Sequence, residues 1–274
     1  GAEIIYPDPG FPIYESMINY TGAKAVPFNM IENKNLSINP DKILSLINKK
    51  TRLLIINNPH NPTGSFTEKK VIDKLAEGLK NFPDVVILSD EVYDRLIFDK
   101  KKIPTFLNYT NLYDRLIVLN GWSKTYAMTG WRLGWGVWPE NLIKYVFKFC
   151  VNNHSCVNTP AQYGAIAALE GPEDHLNNML KEFTARRKLI FDGLKSLKGI
   201  ECSLPEGTFF VFPNVKGTGM NGEEFQRKCL DEAGVAVIPG TSFGKFATDY
   251  VRFNFATSRE NISKAIEKID KILK

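Results

Sequence analysis

Short aliphatic runs alternate with helical patterns over the first half of the chain. Uninterrupted aliphatic residues occur at 53–56 (LLII), 85–88 (VVIL) and 116–119 (LIVL), and each run is followed by turn formers or polar residues. Runs of this length are typical of strands that are buried on both faces of a parallel sheet. Between the first two runs, apolar residues recur at helical spacing over residues 71–79. This alternation predicts an α/β layer that extends to about residue 139.

The pattern changes in the second half of the chain. A long amphipathic stretch predicts a helix that leads into a smaller domain, with strands expected at residues 209–212, 235–238 and 251–255. An amphipathic helix at the C-terminus completes that domain. We therefore expect three segments, with a large domain at residues 1–172, a connecting helix at 173–197 and a small C-terminal domain at 198–274.

Polar clusters follow the three aliphatic runs. Residues 57–64 (NNPHNPTG) are turn formers after the first run, residues 89–93 (SDEVY) follow the second, and residues 121–135 (GWSKTYAMTGWRLGW) follow the third. Taken singly, such clusters are often only turns or helix caps. Parallel strands, however, bring their carboxyl ends to one edge of the sheet, so Asp90 and Tyr93 are expected to share a site there.

Lys124 is the strongest candidate for covalent chemistry. Most lysines are solvated surface residues, and this is the default interpretation for any one of them. Lys124, however, follows a strand end among glycine and aromatic residues, and Arg132 lies eight positions downstream. This context suits an amine that forms a Schiff base beside a fixed cation, and its natural ligand is an aldehyde that carries a phosphate.

Over essentially its whole length the chain resembles the class I aminotransferases, and in particular the aspartate and aromatic aminotransferases. These are fold type I enzymes that use pyridoxal 5′-phosphate (PLP). The resemblance implies a mostly parallel central sheet flanked by helices, a PLP-binding large domain, a smaller C-terminal α+β domain and a homodimer. It also implies ping-pong transfer of an amino group between an amino acid and a 2-oxo acid. It rests on the motifs at residues 6–14 (YPDPGFPIY), 61–64 (NPTG), 89–93 (SDEVY), 123–124 (SK), 130–132 (GWR), 207–210 (GTFF), 239–240 (PG), 243–244 (FG) and 251–253 (VRF).

The resemblance assigns catalytic roles to three residues. Lys124 would hold PLP through its amine and, once released, move the proton between the substrate Cα and the cofactor. Asp90 would keep the pyridine nitrogen protonated, so that the ring withdraws electrons from Cα. Tyr93, together with Asn61, would donate hydrogen bonds to the phenolate oxygen of the ring.

Further residues would hold the cofactor and the substrate. Phe11 would stack on the face of the cofactor ring, although a core position is an equal alternative for this side chain. Ser123 and Arg132 would bind the phosphate. Arg252 would clamp the α-carboxylate of the substrate beside Asn61, although its alternating strand pattern alone would predict a solvated arginine.

Two departures from the family pattern affect cofactor binding. Gly121 stands where many members have a serine or threonine that binds the phosphate. Members also carry a long region ahead of the position where this sequence starts, which supplies an edge strand and a phosphate-binding helix N-terminus. We therefore expect weak PLP binding and an unpaired edge on the strand at residues 133–137. Other PLP carbanion chemistry, such as a C–S β-lyase, and a truncated non-catalytic fragment remain alternatives.

Composition favours a globular enzyme. The 274 residues are 43% hydrophobic and 24% charged, and the net charge of +5 is dispersed, so neither nucleic-acid nor membrane binding is predicted. Four cysteines show no metal-binding spacing and no disulfide pattern, so we expect no metal site and a reducing, cytoplasmic location. His60 adjoins Asn61, but we interpret it as structural because Lys124 already supplies the acid–base group.

Overall fold

The main sheet has six strands in a computed structural model that describes residues 1–32, 35–99 and 102–274. Their spatial order is 2-1-3-4-5-6, with parallel pairing except between the last two strands, which are antiparallel. The predicted α/β class with a mostly parallel sheet is therefore confirmed. The strands are β1 (Glu3–Asp8), β2 (Lys24–Asn29), β3 (Thr51–Asn57), β4 (Val86–Asp90), β5 (Leu116–Gly121) and β6 (Gly134–Val137).

Helices cover both faces of this sheet and build most of the C-terminal part. In the described residues they are α1 (Ile13–Tyr20), α2 (Pro40–Leu46), α3 (Lys69–Leu79), α4 (Trp122–Thr125), α5 (Glu140–His154), α6 (Thr159–Glu170), α7 (Asp174–Ser196), α8 (Gly222–Ala233) and α9 (Arg259–Leu273). Short 3-10 helices occur at Phe106–Asn108, Thr110–Arg115, Thr129–Trp131, Lys216–Thr218 and Gly240–Ser242.

Alternating residues of β3 face the two layers of helices. Leu54 and Ile56 are buried in a cluster with Ile72 of α3, while Ile55 points to the opposite cluster with Ile18 of α1. Successive side chains of a strand lie on opposite faces, so an unbroken aliphatic run is needed when both faces are covered. Each fully buried Leu or Ile stabilises the fold by about 1.5–3 kcal/mol, and this burial fixes the position of the strand ends.

A three-stranded antiparallel sheet lies in the C-terminal part. Its strands are β7 (Phe210–Val211), β8 (Ile238–Pro239) and β9 (Val251–Asn254), in the order β7-β9-β8. The core around it includes Leu194 of α7 and Ile269 of α9.

One strand prediction in this part is largely wrong. Of the predicted strand at residues 235–238, only the last residue joins a ladder. The backbone N–H of Val235 instead donates to the carbonyl of Cys229, and that of Gly234 donates to the carbonyl of Leu230. The residues that follow α8 therefore stay hydrogen-bonded to the last turn of that helix. Pairing with β9 begins only at residue 238.

The expected antiparallel strand near residues 133–137 is β6. In the described part of the chain its outer edge has no strand neighbour, and all four of its residues are exposed. None of the helices in the described residues combines the length and apolar character that a membrane crossing requires.

Candidate active site

The carboxyl ends of β1, β3, β4 and β5 lie side by side at one edge of the main sheet. In register, Asn57 at the end of β3 pairs with Asp90 at the end of β4, and Asp90 pairs with Leu119 of β5. Buried strands thus deliver the three polar clusters to one place, as the sequence predicts.

A cavity of about 490 Å³ opens at this edge. Because parallel strands end beside it, residues far apart in sequence line the same space. It brings together every site residue predicted from the sequence, namely Phe11, Asn61, Asp90, Tyr93, Ser123, Lys124, Arg132 and Arg252.

Asp90 is held by two hydrogen bonds at the cavity wall. The hydroxyl of Tyr14 donates to Asp90 Oδ2 over 2.5 Å, and the backbone N–H of Val92 donates to Oδ1 over 3.2 Å. Burial raises the pKa of Asp90, while these two hydrogen bonds and the charge of Lys124 lower it. The carboxylate is therefore fixed in orientation, and its ionised form is supported against desolvation.

The side-chain amide of Asn57 links two strand ends. Its Nδ2 donates to the backbone carbonyl of Asp90 over 3.0 Å, and its Oδ1 accepts the backbone N–H of Asn61 over 2.9 Å. Arg252 Nη1 in turn donates to Asn61 Oδ1 over 2.9 Å. Because a guanidinium only donates, this contact sets the orientation of the Asn61 amide and leaves Nδ2 as its donor.

Arg252 lies between two aromatic rings, in contrast to the solvated arginine that the strand pattern alone predicts. Its guanidinium carbon is 4.1 Å from the ring centroid of Phe210 and 4.5 Å from that of Phe243. Burial lowers the pKa of Arg252 to about 10. A cation stacked in this way is confined to one plane, which suits recognition of a planar carboxylate.

Lys124 is half-buried in the short helix α4 that follows β5. Its Nζ lies 5.7 Å from the ring centroids of both Tyr93 and Phe209. Burial lowers the pKa of Lys124, and the charges of Arg132 and Arg252 lower it further. The amine is therefore more readily neutral than an ordinary lysine, as a nucleophilic amine requires.

Arg132 and Gly121 flank this lysine. Arg132 is exposed, has a left-handed backbone with φ 57°, and donates from Nη1 to the carbonyl of Thr129 over 2.8 Å. A Cβ at position 121 would lie 2.8 Å from the carbonyl oxygen of Leu133. A side chain at position 121 would therefore require the backbone at Leu133, just before β6, to shift, whereas glycine fits without that shift.

His60 lies outside the cavity lining, in keeping with the structural interpretation. It is buried, its Nδ1 lies 2.8 Å from Thr63 Oγ1, and burial lowers its pKa to about 3. A neutral imidazole is thus part of the turn that presents Asn61.

Tyr14 and Asn57 are site residues that the sequence analysis missed. Both line the cavity and contact Asp90. Tyr14 lies within the quoted motif at residues 6–14, three positions after Phe11, and the two rings pack edge to face at 5.8 Å. The presence of a second aromatic residue three positions after Phe11 in the same motif is the signal that could have identified it.

These groups match the chemical parts of PLP. The cavity offers a carboxylate at Asp90, an amine of lowered pKa at Lys124, a cation at Arg132 and an aromatic ring at Phe11. A pyridine nitrogen, an aldehyde, a phosphate and a ring face are the complementary features of that cofactor. Fold and site together therefore define a PLP-dependent enzyme of fold type I.

Comparison with known proteins identifies the family. Residues 1–269 match the family described as aminotransferase class I and II, and the chain belongs to it. An aspartate aminotransferase of Pyrococcus abyssi is 37% identical over 276 residues, which cover 100% of this chain and 70% of that protein. An aromatic-amino-acid aminotransferase of Thermococcus litoralis is 35% identical, with 99% and 70% covered.

A solved structure agrees with this assignment. The aromatic aminotransferase of Pyrococcus horikoshii superposes with a TM-score of 0.95 at 36% identity, covering 100% of this chain and 73% of that one. The protein is a PLP-dependent aminotransferase, and other PLP carbanion chemistry such as that of a C–S β-lyase is not favoured.

Proposed function

We propose that the 490 Å³ cavity binds PLP and carries out both halves of a transamination, with the residue roles expected from the sequence. The observation that carries this proposal is the convergence of Asp90, Lys124, Arg132 and Arg252 on one space. When bound, PLP supplies an aldehyde that captures amino groups and a ring that withdraws electrons from Cα.

Lys124 acts as the covalent anchor and the acid–base group. Its lowered pKa favours the neutral amine that attacks an aldehyde. With PLP bound, the amino group of the substrate would free Nζ, which would then accept the proton from Cα in one half-reaction and give a proton back to Cα in the other. Tyr93, whose ring packs near Nζ, and Asn61 donate hydrogen bonds to the ring oxygen.

Asp90 holds a proton on the pyridine nitrogen. Its carboxylate can do so because Tyr14 and Val92 fix both of its oxygens. Phe11 would cover the face of the cofactor ring, because it lines the cavity and 37% of its surface is exposed. Ser123 and Arg132 bind the phosphate, for which Arg132 exchanges its contact with the carbonyl of Thr129.

Arg252 binds the α-carboxylate of the amino acid or 2-oxo acid. The guanidinium is held in plane by its two aromatic neighbours, and its contact with Asn61 connects the substrate position to the cofactor. A carboxylate bound at this point would hold the substrate in the same cavity as Lys124, so that the reacting groups would meet without a further association step.

The names of the relatives suggest aspartate or an aromatic amino acid as the amino donor, with a 2-oxo acid as acceptor. We further propose a homodimer and the division of the chain at α7 into segments 1–172, 173–197 and 198–274. A cytoplasmic location stays a prediction from the cysteine pattern.

The decisive test is to mix the chain with PLP, reduce it with borohydride and map the modified peptide. We expect the label on Lys124, its loss in Lys124→Ala, and no change in Lys144→Ala, which removes an exposed lysine of α5. A separate PLP-loaded sample that has not been reduced should convert aspartate or phenylalanine to the oxo acid only stoichiometrically until 2-oxoglutarate is added. A label on another lysine, or release of ammonia and pyruvate without an acceptor, would contradict the proposal.

A further inference from the structure

Asp8 joins the main sheet to the C-terminal part of the chain. It lies at the end of β1, and only 1% of its surface is exposed. Its Oδ2 accepts the backbone N–H of Lys245 over 3.1 Å, and its Oδ1 accepts that of Phe246 over 3.3 Å. The backbone N–H of Gly10 donates in the opposite direction, to the carbonyl of Phe243 over 2.8 Å. We call these three hydrogen bonds the Asp8 latch.

The loop on the far side is shaped around this carboxylate. Gly244 has φ 151°, and a Cβ at this position would lie 2.0 Å from Asp8 Oδ1. The carboxylate thus occupies the space that a side chain at position 244 would need. No other residue fits while the latch is closed.

Burying an ionised carboxylate destabilises the fold unless its oxygens are hydrogen-bonded. At Asp8 the negative charge of Glu15 repels the carboxylate, while the positive charge of Lys245 attracts it. The two backbone N–H groups offset that cost but give little net stability. The contact is therefore better explained by the geometry that it imposes than by the stability that it adds.

One end of the latch carries an aromatic wall of the cavity, and the other end carries a ring that packs on Arg252. Phe11 follows Gly10 directly and lines the cavity, while Phe243 stacks on the guanidinium of Arg252 at 4.5 Å. The latch therefore sets the spacing between the ring proposed to cover the cofactor and the ring that holds Arg252 in plane.

We propose that Asp8 is a positioning residue for binding the α-carboxylate of the substrate. It acts through Phe243 on Arg252 and touches neither the substrate nor the cofactor. The inference rests on the proposed role of Arg252, and the test below separates the two.

The experiment compares PLP-loaded wild type with Asp8→Ala, Asp8→Asn and the exposed control Asp84→Asn. It measures KM and kcat with aspartate and with phenylalanine as the amino donor. It also measures the Kd of 2-methylaspartate and 2-methylphenylalanine by calorimetry. These analogues have no Cα proton to lose. Asp8→Ala should raise KM and Kd roughly tenfold, about 1.4 kcal/mol, with a much smaller change in kcat. Asp8→Asn, which keeps one acceptor oxygen, should lie between Asp8→Ala and wild type.

Gly244→Ala provides a second route, because it displaces the loop while keeping the carboxylate, and it should raise KM and Kd in the same way. It also covers the case in which Asp8→Ala does not fold. If KM and Kd were unchanged in the folded Asp8 and Gly244 variants while Arg252→Lys bound the substrate much more weakly, the positioning role of Asp8 alone would be overturned. Unchanged carboxylate binding in Arg252→Lys would instead overturn the proposed function.

Discussion

The hydroxyl of Tyr14 donates a hydrogen bond to Asp90 Oδ2 over 2.5 Å, which joins helix α1 to the end of strand β4. Burial raises the pKa of both groups. A buried carboxylate with fewer donors takes up a proton more readily, and the hydrogen bond from Tyr14 opposes this. The tyrosine therefore helps to keep Asp90 ionised.

Replacing this tyrosine tests that relationship. Without the hydrogen bond, the pKa of Asp90 rises further, so a smaller fraction is ionised at a given pH. Tyr14→Phe should shift the acidic limb of the kcat–pH profile upward and lower kcat by roughly 10–100-fold near neutral pH.

PLP labelling at Lys124 should be retained in Tyr14→Phe. Tyr113→Phe is the matched control, since its exposed hydroxyl donates to the carbonyl of Leu107, away from the site. An acidic limb at the same pH as in wild type would show that Tyr14 has no influence on Asp90.

Arg132 provides a test of the charge effect on Lys124. Its positive charge lowers the pKa of the lysine, so Arg132→Ala should raise that pKa and reduce the neutral amine at a given pH. The rate of labelling by pyridoxal, which lacks the phosphate, should then reach half its plateau at a higher pH. Arg252→Ala should act in the same direction but more weakly, because its effect on the pKa is smaller. A midpoint that stays in place or moves down contradicts the prediction.

His60 should make stability depend on pH. Burial lowers its pKa from 6.5 to about 3 in the folded protein. The unfolded chain therefore binds a proton first, so the contribution of His60 to stability is complete above pH 6.5 and is lost as pH falls towards 3.

The expected slope in that window is up to about 1.4 kcal/mol per pH unit. His60→Asn, whose amide can reach Thr63, should flatten the pH dependence of the free energy of unfolding in urea. His175→Asn removes an exposed histidine and serves as the control. Equal pH dependence in His60→Asn and wild type would be the opposing result.

Arg115 should contribute strongly to stability. It is buried and donates to three backbone carbonyls around the end of α3, those of Leu79, Phe82 and Val85. Arg115→Leu leaves these acceptors without the guanidinium, so the free energy of unfolding should fall by about 3 kcal/mol. Arg227→Leu, at an exposed position of α8, should change it by less than about 0.5 kcal/mol. A loss in Arg115→Leu no larger than in this control would contradict the assignment.

The sequence by itself determined the α/β layer and the position of the active site at the carboxyl edge of the sheet. The aliphatic runs before Asn57, Asp90 and Gly121 predict strands buried on both faces, and such strands bring their carboxyl ends together. Local pattern is sufficient here because burial on both faces dictates the residue type along the whole strand. The position of Lys124 after a strand end, with Arg132 downstream, made both residues candidates, and the family motifs supplied their expected roles.

Only the tertiary structure decided which side chains support these residues. Tyr14 meets Asp90 across 76 positions, Arg252 meets Asn61 across 191, and Asp8 meets Lys245 across 237. Periodicity reports which face of an element is buried, but it does not say which partner covers that face. The same reason explains the missed pairing at residues 235–238, where the end of a helix competes with a strand for the same backbone groups. Those choices depend on how the elements pack, so they exist only in the folded chain.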